Sequence, residues 1–401
     1  MATPKVELVH DRRQLEEFVT FPWTLYRDDP FWAPTFFRER MQFFDPHHNP
    51  FFQHAEVQLF LARLDGQVVG TVAAIVDEMH NAYHNERVGF FGHFESVDDR
   101  EVAAALLQSA SDWVATRGMT AIRGPMNMST NHECGLLVDG FDSPPVAMMT
   151  YNPRYYEELI TGCGFQKAMD LYAYLISTNI YGESAENLPQ KVLQSAERLK
   201  REGSITIRPA RLESFAEELV RAKRVYNSAW GRNWGFVPMT DAEIEHLAQG
   251  LRRFLDPDMV FFAEHNGEPV GISVAIPDVN EPLRRAYPRP GGSMARFLYD
   301  GVRFLWARRT RPRLFRLLIM GVVEEYRNRG IDGAFYVATA HAALAKGYKQ
   351  CEMSWILENN VMMNRIIQRL GGKVYKTYRI YEKAVRPPAV SGSARTTDGP
   401  S

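Results

Sequence analysis

Residues 314–333 read LFRLLIMGVVEEYRNRGIDG, an apolar strand that runs straight into Arg327, Arg329, Gly330, Asp332 and Gly333 and then into a helix. That order suits a phosphate ligand. Glycine lets a backbone approach an anion closely. The first N–H groups of a helix lack partners inside it and lie at the positive end of its dipole. The two guanidinium groups add charge to the same turn. A second set of polar side chains lies in the stretch 124–156, GPMNMSTNHECGLLVDGFDSPPVAMMTYNPRYY. Long loops punctuated by glycine and proline are often binding elements. Asn127, Asn131, Glu133, Tyr151 and Asn152 are therefore expected to hold a substrate across the boundary between domains. The alternative is a surface loop of turn-forming residues. Cys134 beside His132 and Glu133 is poorly placed as a nucleophile, because adjacent side chains seldom face one another.

The elements that carry these residues repeat. Residues 61–75, LARLDGQVVGTVAAI, match 262–276, FAEHNGEPVGISVAI: a strand, a tight Asp-Gly or Asn-Gly turn, and a strand. Such turns need positive φ, which these residues tolerate. A second match pairs 159–174 with 366–381, each a helix end, a glycine stop at Gly164 or Gly371, and a tyrosine-rich strand. Two matches in the same order predict tandem copies of one fold. The first copy is expected over 1–176, with strands near 57–63, 67–76, 88–94 and 120–124 and a helix over 101–117. A linker helix is expected within 177–203. The second copy is expected over 204–384, with helices near 211–229, 240–255, 333–346 and 360–370. Residues 385–401, rich in Pro, Ser, Gly and Thr, read as a disordered tail.

The strand, the Arg327-x-x-Gly330 turn and the following helix resemble the GNAT superfamily, whose signature is Arg/Gln-x-x-Gly-x-Gly/Ala. Asp332 stands where Gly or Ala is usual, and it is expected to cap the helix. The resemblance implies an α/β fold with mixed sheets: two tandem GNAT-like domains, the N-terminal one degenerate, because Glu95-Ser-Val-Asp-Asp-Arg there replaces the phosphate turn. It implies acyl-CoA as donor. An acyl carrier protein, which presents a single phosphate, suits the altered turn better. The donor would be held by Val322, Val323, Arg327, Arg329, Gly330, Asp332, Gly333 and Asn360, with an N–H of Val322 or Val323 on the thioester oxygen. Asn360 matches the Asn that opens the equivalent helix of the family. Ile367 stands where many members carry a catalytic tyrosine. Glu324 and Glu325 are the candidate bases for an amine acceptor; the alternative is a pair of solvated loop carboxylates.

Around these sites the composition is ordinary for a globular protein, with 45% hydrophobic and 24% charged residues and a net charge of −1. Near-neutral charge gives no bulk field for nucleic acid. Three scattered cysteines, Cys134, Cys163 and Cys351, argue against a disulfide framework or a structural zinc site, and no metal is expected. No leader and no spanning segment is read, so the chain is expected to be cytoplasmic. Residues 284–316 hold ten arginines and one acidic residue, Asp300, with Met294, Phe297, Leu298, Val302, Phe304 and Leu305 at helical spacing. That pattern suits an anionic membrane surface, here the inner face, or an acidic carrier protein. A helix packed on its own domain is the alternative. The whole chain is also similar to the bacterial type of ceramide synthase, which implies a long-chain lipid amine as acceptor. The competing class is a non-catalytic acyl-CoA-binding or membrane-surface regulatory module with a degenerate site.

Overall fold

The computed structural model describes residues 3–231, 233–310 and 312–386. The first half contains β1 (Lys5–Leu8), α1 (Arg12–Leu25), α2 (Phe37–Phe43), β2 (Ala55–Leu64), β3 (Gln67–Asp77), α3 (Glu78–His84), β4 (Val88–Ser96), α4 (Arg100–Thr116), β5 (Ala121–Gly124), β6 (Leu136–Asp139), α5 (Tyr156–Gly162) and β7 (Gln166–Ser177). The second contains α6 (Gln190–Glu202), β8 (Ile205–Pro209), α7 (Phe215–Ala229), α8 (Asp241–Arg252), β9 (Val260–His265), β10 (Glu268–Pro277), α9 (Asn280–Ala286), α10 (Met294–Ala307), β11 (Leu314–Val322), α11 (Ile331–Ala345), β12 (Gln350–Leu357), α12 (Val361–Arg369) and β13 (Lys373–Ala384). Both expected hairpins form, with Asp65-Gly66 and Asn266-Gly267 at positive φ. The helices α1, α2 and α3 were not legible in the sequence. The expected tail lies, from residue 387 onward, outside the described residues.

The strands join in one mixed sheet of order β1-β2-β3-β4-β5-β13-β7-β12-β11-β10-β9-β8, with β6 on β13. The two halves exchange their last strands. β13, from the second half, stands between β5 and β7, and β7, from the first, pairs with β12. Leu171 pairs with Tyr378, and this pair has the same sequence separation as the matched glycines Gly164 and Gly371. The repeat axis therefore passes through the β7–β13 ladder. Leu171 and Tyr378 are fully buried there.

His54 fastens the halves elsewhere. Its Nδ1 meets Asp77 at 3.0 Å and its Nε2 meets Glu243 at 3.1 Å, where Glu243 also closes the capping box of α8. Burial alone lowers the pKa of this imidazole, but the hydrogen bonds it donates to both carboxylates outweigh that and bring it to about 9. A folded pKa above the ordinary 6.5 adds stability that is complete below about pH 6.5 and lost as pH rises through about 9. Unfolding by urea should show this as a falling alkaline limb worth up to about 3 kcal/mol. In His54→Gln the limb should be nearly flat; an unchanged limb would show that His54 has no part in it.

Candidate functional site

β11 delivers the chain to a 3-10 turn, Glu324–Tyr326, and Gly330 at φ 89° turns it into α11. No side chain caps α11: the helix starts at Ile331, so Asp332 sits inside its first turn and not before it, where a cap must stand. Arg327 and Arg329 are exposed. Arg327 donates to the carbonyls of Ala229 (2.8 Å) and Val322 (3.3 Å), and Arg329 lies over the Tyr326 ring. Glu324 and Glu325 are exposed on the same turn. The N–H of Val323 is turned into the sheet, donating to Val270 O at 2.9 Å. A side chain on Gly330 would meet the Ser195 carbonyl at 2.9 Å, and one on Gly333 would overlap Ser195 Oγ. The close approach that these glycines permit is thus made by α6 along one face of α11, while the helix end itself stays uncapped. Asn360 caps α12, accepting from Met363 N at 3.2 Å, and Ile367 is fully buried.

At the equivalent point of the first half, Asp99 accepts from the N–H groups of Glu101 (2.8 Å) and Val102 (3.2 Å) and closes the start of α4. The neighbouring strands differ in the same sense. β11 and β12 pair only over Leu314–Leu317 and Gln350–Met353, then part. β4 and β5 are bridged where they would part: Met126 N donates to Phe91 O at 2.7 Å, and Asn127 Oδ1 takes the His93 N–H at 2.7 Å.

The parting of β11 and β12 leaves a slot lined by Leu318, Ile319, Arg316, Ser354 and Trp355, with Tyr226 from α7 and Trp230 just after it. Thr130, Asn131 and His132 of the first half's long loop close it. Asn131 accepts from Tyr226 Oη at 2.8 Å and donates to Val237 O at 3.0 Å, and Thr130 donates to Gly235 O at 2.7 Å. Burial pushes His132 down to about 4, so its imidazole is neutral. Tyr226, Leu247 and Ile319 also line a chamber beneath α7 and α8, of about 790 Å³ with its open mouth. Its walls are almost wholly apolar, among them Leu219, Ala222, Ala248, Leu251, Phe262 and Val274.

A second cavity, about 1080 Å³ with its mouth, lies in the first half beneath α1 and α2. Asn127, Glu133, Tyr151 and Asn152 line it, separated from Asn131 by the loop itself. Asn152 is engaged with both backbone groups of Leu137, and Tyr151 donates to Asp29 at 2.7 Å. The cavity also holds Arg40, His93 and Glu95, none of which the sequence reading marked as site residues. Arg40 can only donate, so His93 Nδ1 accepts from it at 3.1 Å and the neutral ring carries its proton on Nε2. That Nε2 is buried without a partner. Burial, then the Arg40 charge, holds the His93 pKa well below its usual value. Glu95 accepts from Tyr26 and Tyr156 Oη, each at 2.7 Å, and burial lifts it to about 7. The available signal was two polar residues at i and i+2 in the apolar strand VGFFGHFES, hence on one face. Among the described residues no cluster of His, Cys, Asp or Glu is arranged to hold a metal ion.

No family model matches the chain. It is 36% identical to the bacterial ceramide synthase of Caulobacter vibrioides over 379 residues, 93% of this chain and 95% of that protein. It is 34% identical to protein YghO of Escherichia coli, over 94% of each. Among solved structures, a tandem GNAT protein from the clavulanic acid biosynthesis pathway superposes with a TM-score of 0.56 at 10% identity, covering 95% of this chain and 98% of that one.

Proposed function

The chain belongs to the family of the Caulobacter ceramide synthase and YghO, an acyltransferase family with the tandem GNAT fold, and from that premise we propose that it joins a fatty acyl group from a thioester to the amine of a long-chain base. The donor is acyl-CoA or an acylated carrier protein. Its phosphate meets the uncapped, arginine-flanked start of α11, and its thioester lies in the slot that the same strand, β11, lines. The amine nitrogen attacks the thioester carbon, a C–N bond forms as the C–S bond breaks, and the thiolate leaves with a proton. An alkyl ammonium, with pKa near ~10, must first lose a proton. His132 lies within the slot, where burial makes it a weak base, and Glu324 and Glu325 stand on the turn outside it.

The observation that carries this reading is that a polar slot and an apolar chamber lie side by side and share Tyr226, Leu247 and Ile319 as walls, with room for the reacting groups in one and a hydrocarbon chain in the other. The direct test incubates the purified chain with a long-chain acyl-CoA or acylated carrier protein and a sphingoid base, and weighs the amide by mass spectrometry. Amide should form with at least one donor. Failure of both to be consumed would overturn the proposal. A second reading has one observation in its favour: Glu95, at about 7, is the better base, which would put the acceptor amine in the first-half cavity. On that reading Glu95→Gln lowers kcat at least about a hundredfold. On the slot reading it leaves kcat within a few-fold, and Ser354→Val in the slot is the damaging change.

A further inference from the structure

The helix α10 was expected to turn either its apolar or its arginine side to solvent, and it has two apolar sides. Phe304 and Ala307 face inward, with Phe297 beside them. Phe304 meets Phe36 and Phe254, and Phe297 meets Phe36. Asp300 is buried with them, 3.4 Å from Arg296. The other side is Met294, Leu298, Tyr299, Val302, Leu305 and Trp306, all between 54% and 71% exposed. At 3.6 residues per turn these six span an arc of about 140°. Arg303 borders the arc on one side and Arg308 on the other. Arg289, Arg309 and Arg313 lie exposed in the flanking chain. Among the described residues of α10 and these flanks, from 289 to 313, Asp300 is the one acidic residue, and it faces inward.

We infer that α10 is a docking helix that lies in the surface of an anionic lipid bilayer. Six large apolar side chains left in water on one helix are a strong sign of a partner. Arginines on both borders choose its kind: they fit a surface of negative charge that continues on either side of the apolar contact, as lipid head groups do. Tyr299 and Trp306, each with an apolar body and a polar edge, suit the same boundary. A second copy of the chain is a poorer occupant, because its arginine borders would face these. Among the described residues no helix is long and apolar enough to cross a membrane, so contact is with the surface. The position of α10 gives the docking a use that rests on the function proposed above. Phe254, under Phe304, follows α8, whose Leu247, Ala248 and Leu251 roof the chamber. A bilayer beneath α10 would bring that roof to the lipid from which a long-chain substrate must come.

The test uses the full chain and vesicles of phosphatidylcholine alone or mixed with phosphatidylglycerol. The wild type should sediment with the mixed vesicles, more weakly at high salt, and little with phosphatidylcholine. Leu298→Glu with Val302→Glu should lower the bound fraction at least about tenfold. Both sites are exposed, so the thermal transition should stay where it is. Arg303→Glu with Arg308→Glu should lose the preference for the anionic vesicles. A wild type that stays in the supernatant, variants that bind as well as it does, or a wild-type dimer that the variants split would each overturn the inference. Acyl transfer to a soluble short-chain amine should be unchanged in these variants and transfer to a vesicle-embedded one reduced. Loss of both alike would point to a damaged enzyme and overturn the delivery role, while sedimentation still decides the docking.

Discussion

Arg316→Leu is expected to lower folding stability by about 3–5 kcal/mol. Arg316 is 3% exposed, and Glu352, beside it in the β11–β12 register, is fully buried. The guanidinium donates to the Ala147 carbonyl at 2.6 Å and the Ser354 carbonyl at 2.9 Å, and its Nε is 3.5 Å from Glu352. Leucine fills much of the same space but leaves a carboxylate and two carbonyls without their cation. Burial already lifts Glu352 to about 7 against the pull of Arg316. Without Arg316 its folded pKa rises further above the usual carboxylate value. A carboxyl with a raised folded pKa costs stability as pH climbs, so the deficit should be larger at alkaline than at acid pH. Arg316→Leu with Glu352→Leu should recover most of the loss, since a buried ion pair replaced whole by apolar groups is often neutral. Urea titrations of the three proteins measure this. A double variant no more stable than the single one would mean that the damage is lost packing and not a stranded charge.

That pair also marks the limit of what the sequence disclosed. Period-two and helical patterns revealed the hairpins and most helices of the second half, because these are local. The duplication was legible for the same reason: Asp65-Gly66 and Asn266-Gly267 carry one turn chemistry twice. Nothing local says that β13 leaves its own half to stand beside β5. The pattern of a strand fixes its faces but not its neighbours. Arg316 was counted among the ten arginines of the stretch 284–316, and its burial against Glu352 was not legible, since that partner is set by strand order. α1 and α2 were missed because Pro22 and a run of aromatic residues blur the helical stripe, and with them went the cavity they roof. Glu95 sat in a stretch read only for whether it binds phosphate, and His93 in a strand read only for its apolar pattern. The loop from Asn127 to Asn152 was read as a binding element, yet that it borders two cavities, Asn131 on one side and Asn127 on the other, follows only from its path between the halves.

Ala248→Phe should change which acyl chains are used, with little change in how fast short ones react. Ala248 faces the apolar chamber from α8, opposite Ile272 and Val274 of the sheet. A phenyl ring there would take the space of roughly three or four methylene groups. At about 0.8 kcal/mol for each methylene moved from water into an apolar site, the lost burial is roughly 2.5–3 kcal/mol. On the function proposed above, that energy is available only to chains long enough to pass Tyr226 and Leu247. For them kcat/KM should fall on the order of a hundredfold. A short acyl group ends in the slot and should be affected less than about threefold. Overpacking costs stability of about 1–3 kcal/mol, so the comparison is made at a temperature where both proteins are folded. Ala222→Phe, on α7, blocks the same space from the other helix and should give the same shift. The discriminating measurement is the ratio of kcat/KM across a series of acyl lengths. A uniform fall at every length would mean that the ring disturbed the slot and that the chamber holds no chain. A length-dependent fall in both variants would assign the hydrocarbon to the space under α7 and α8.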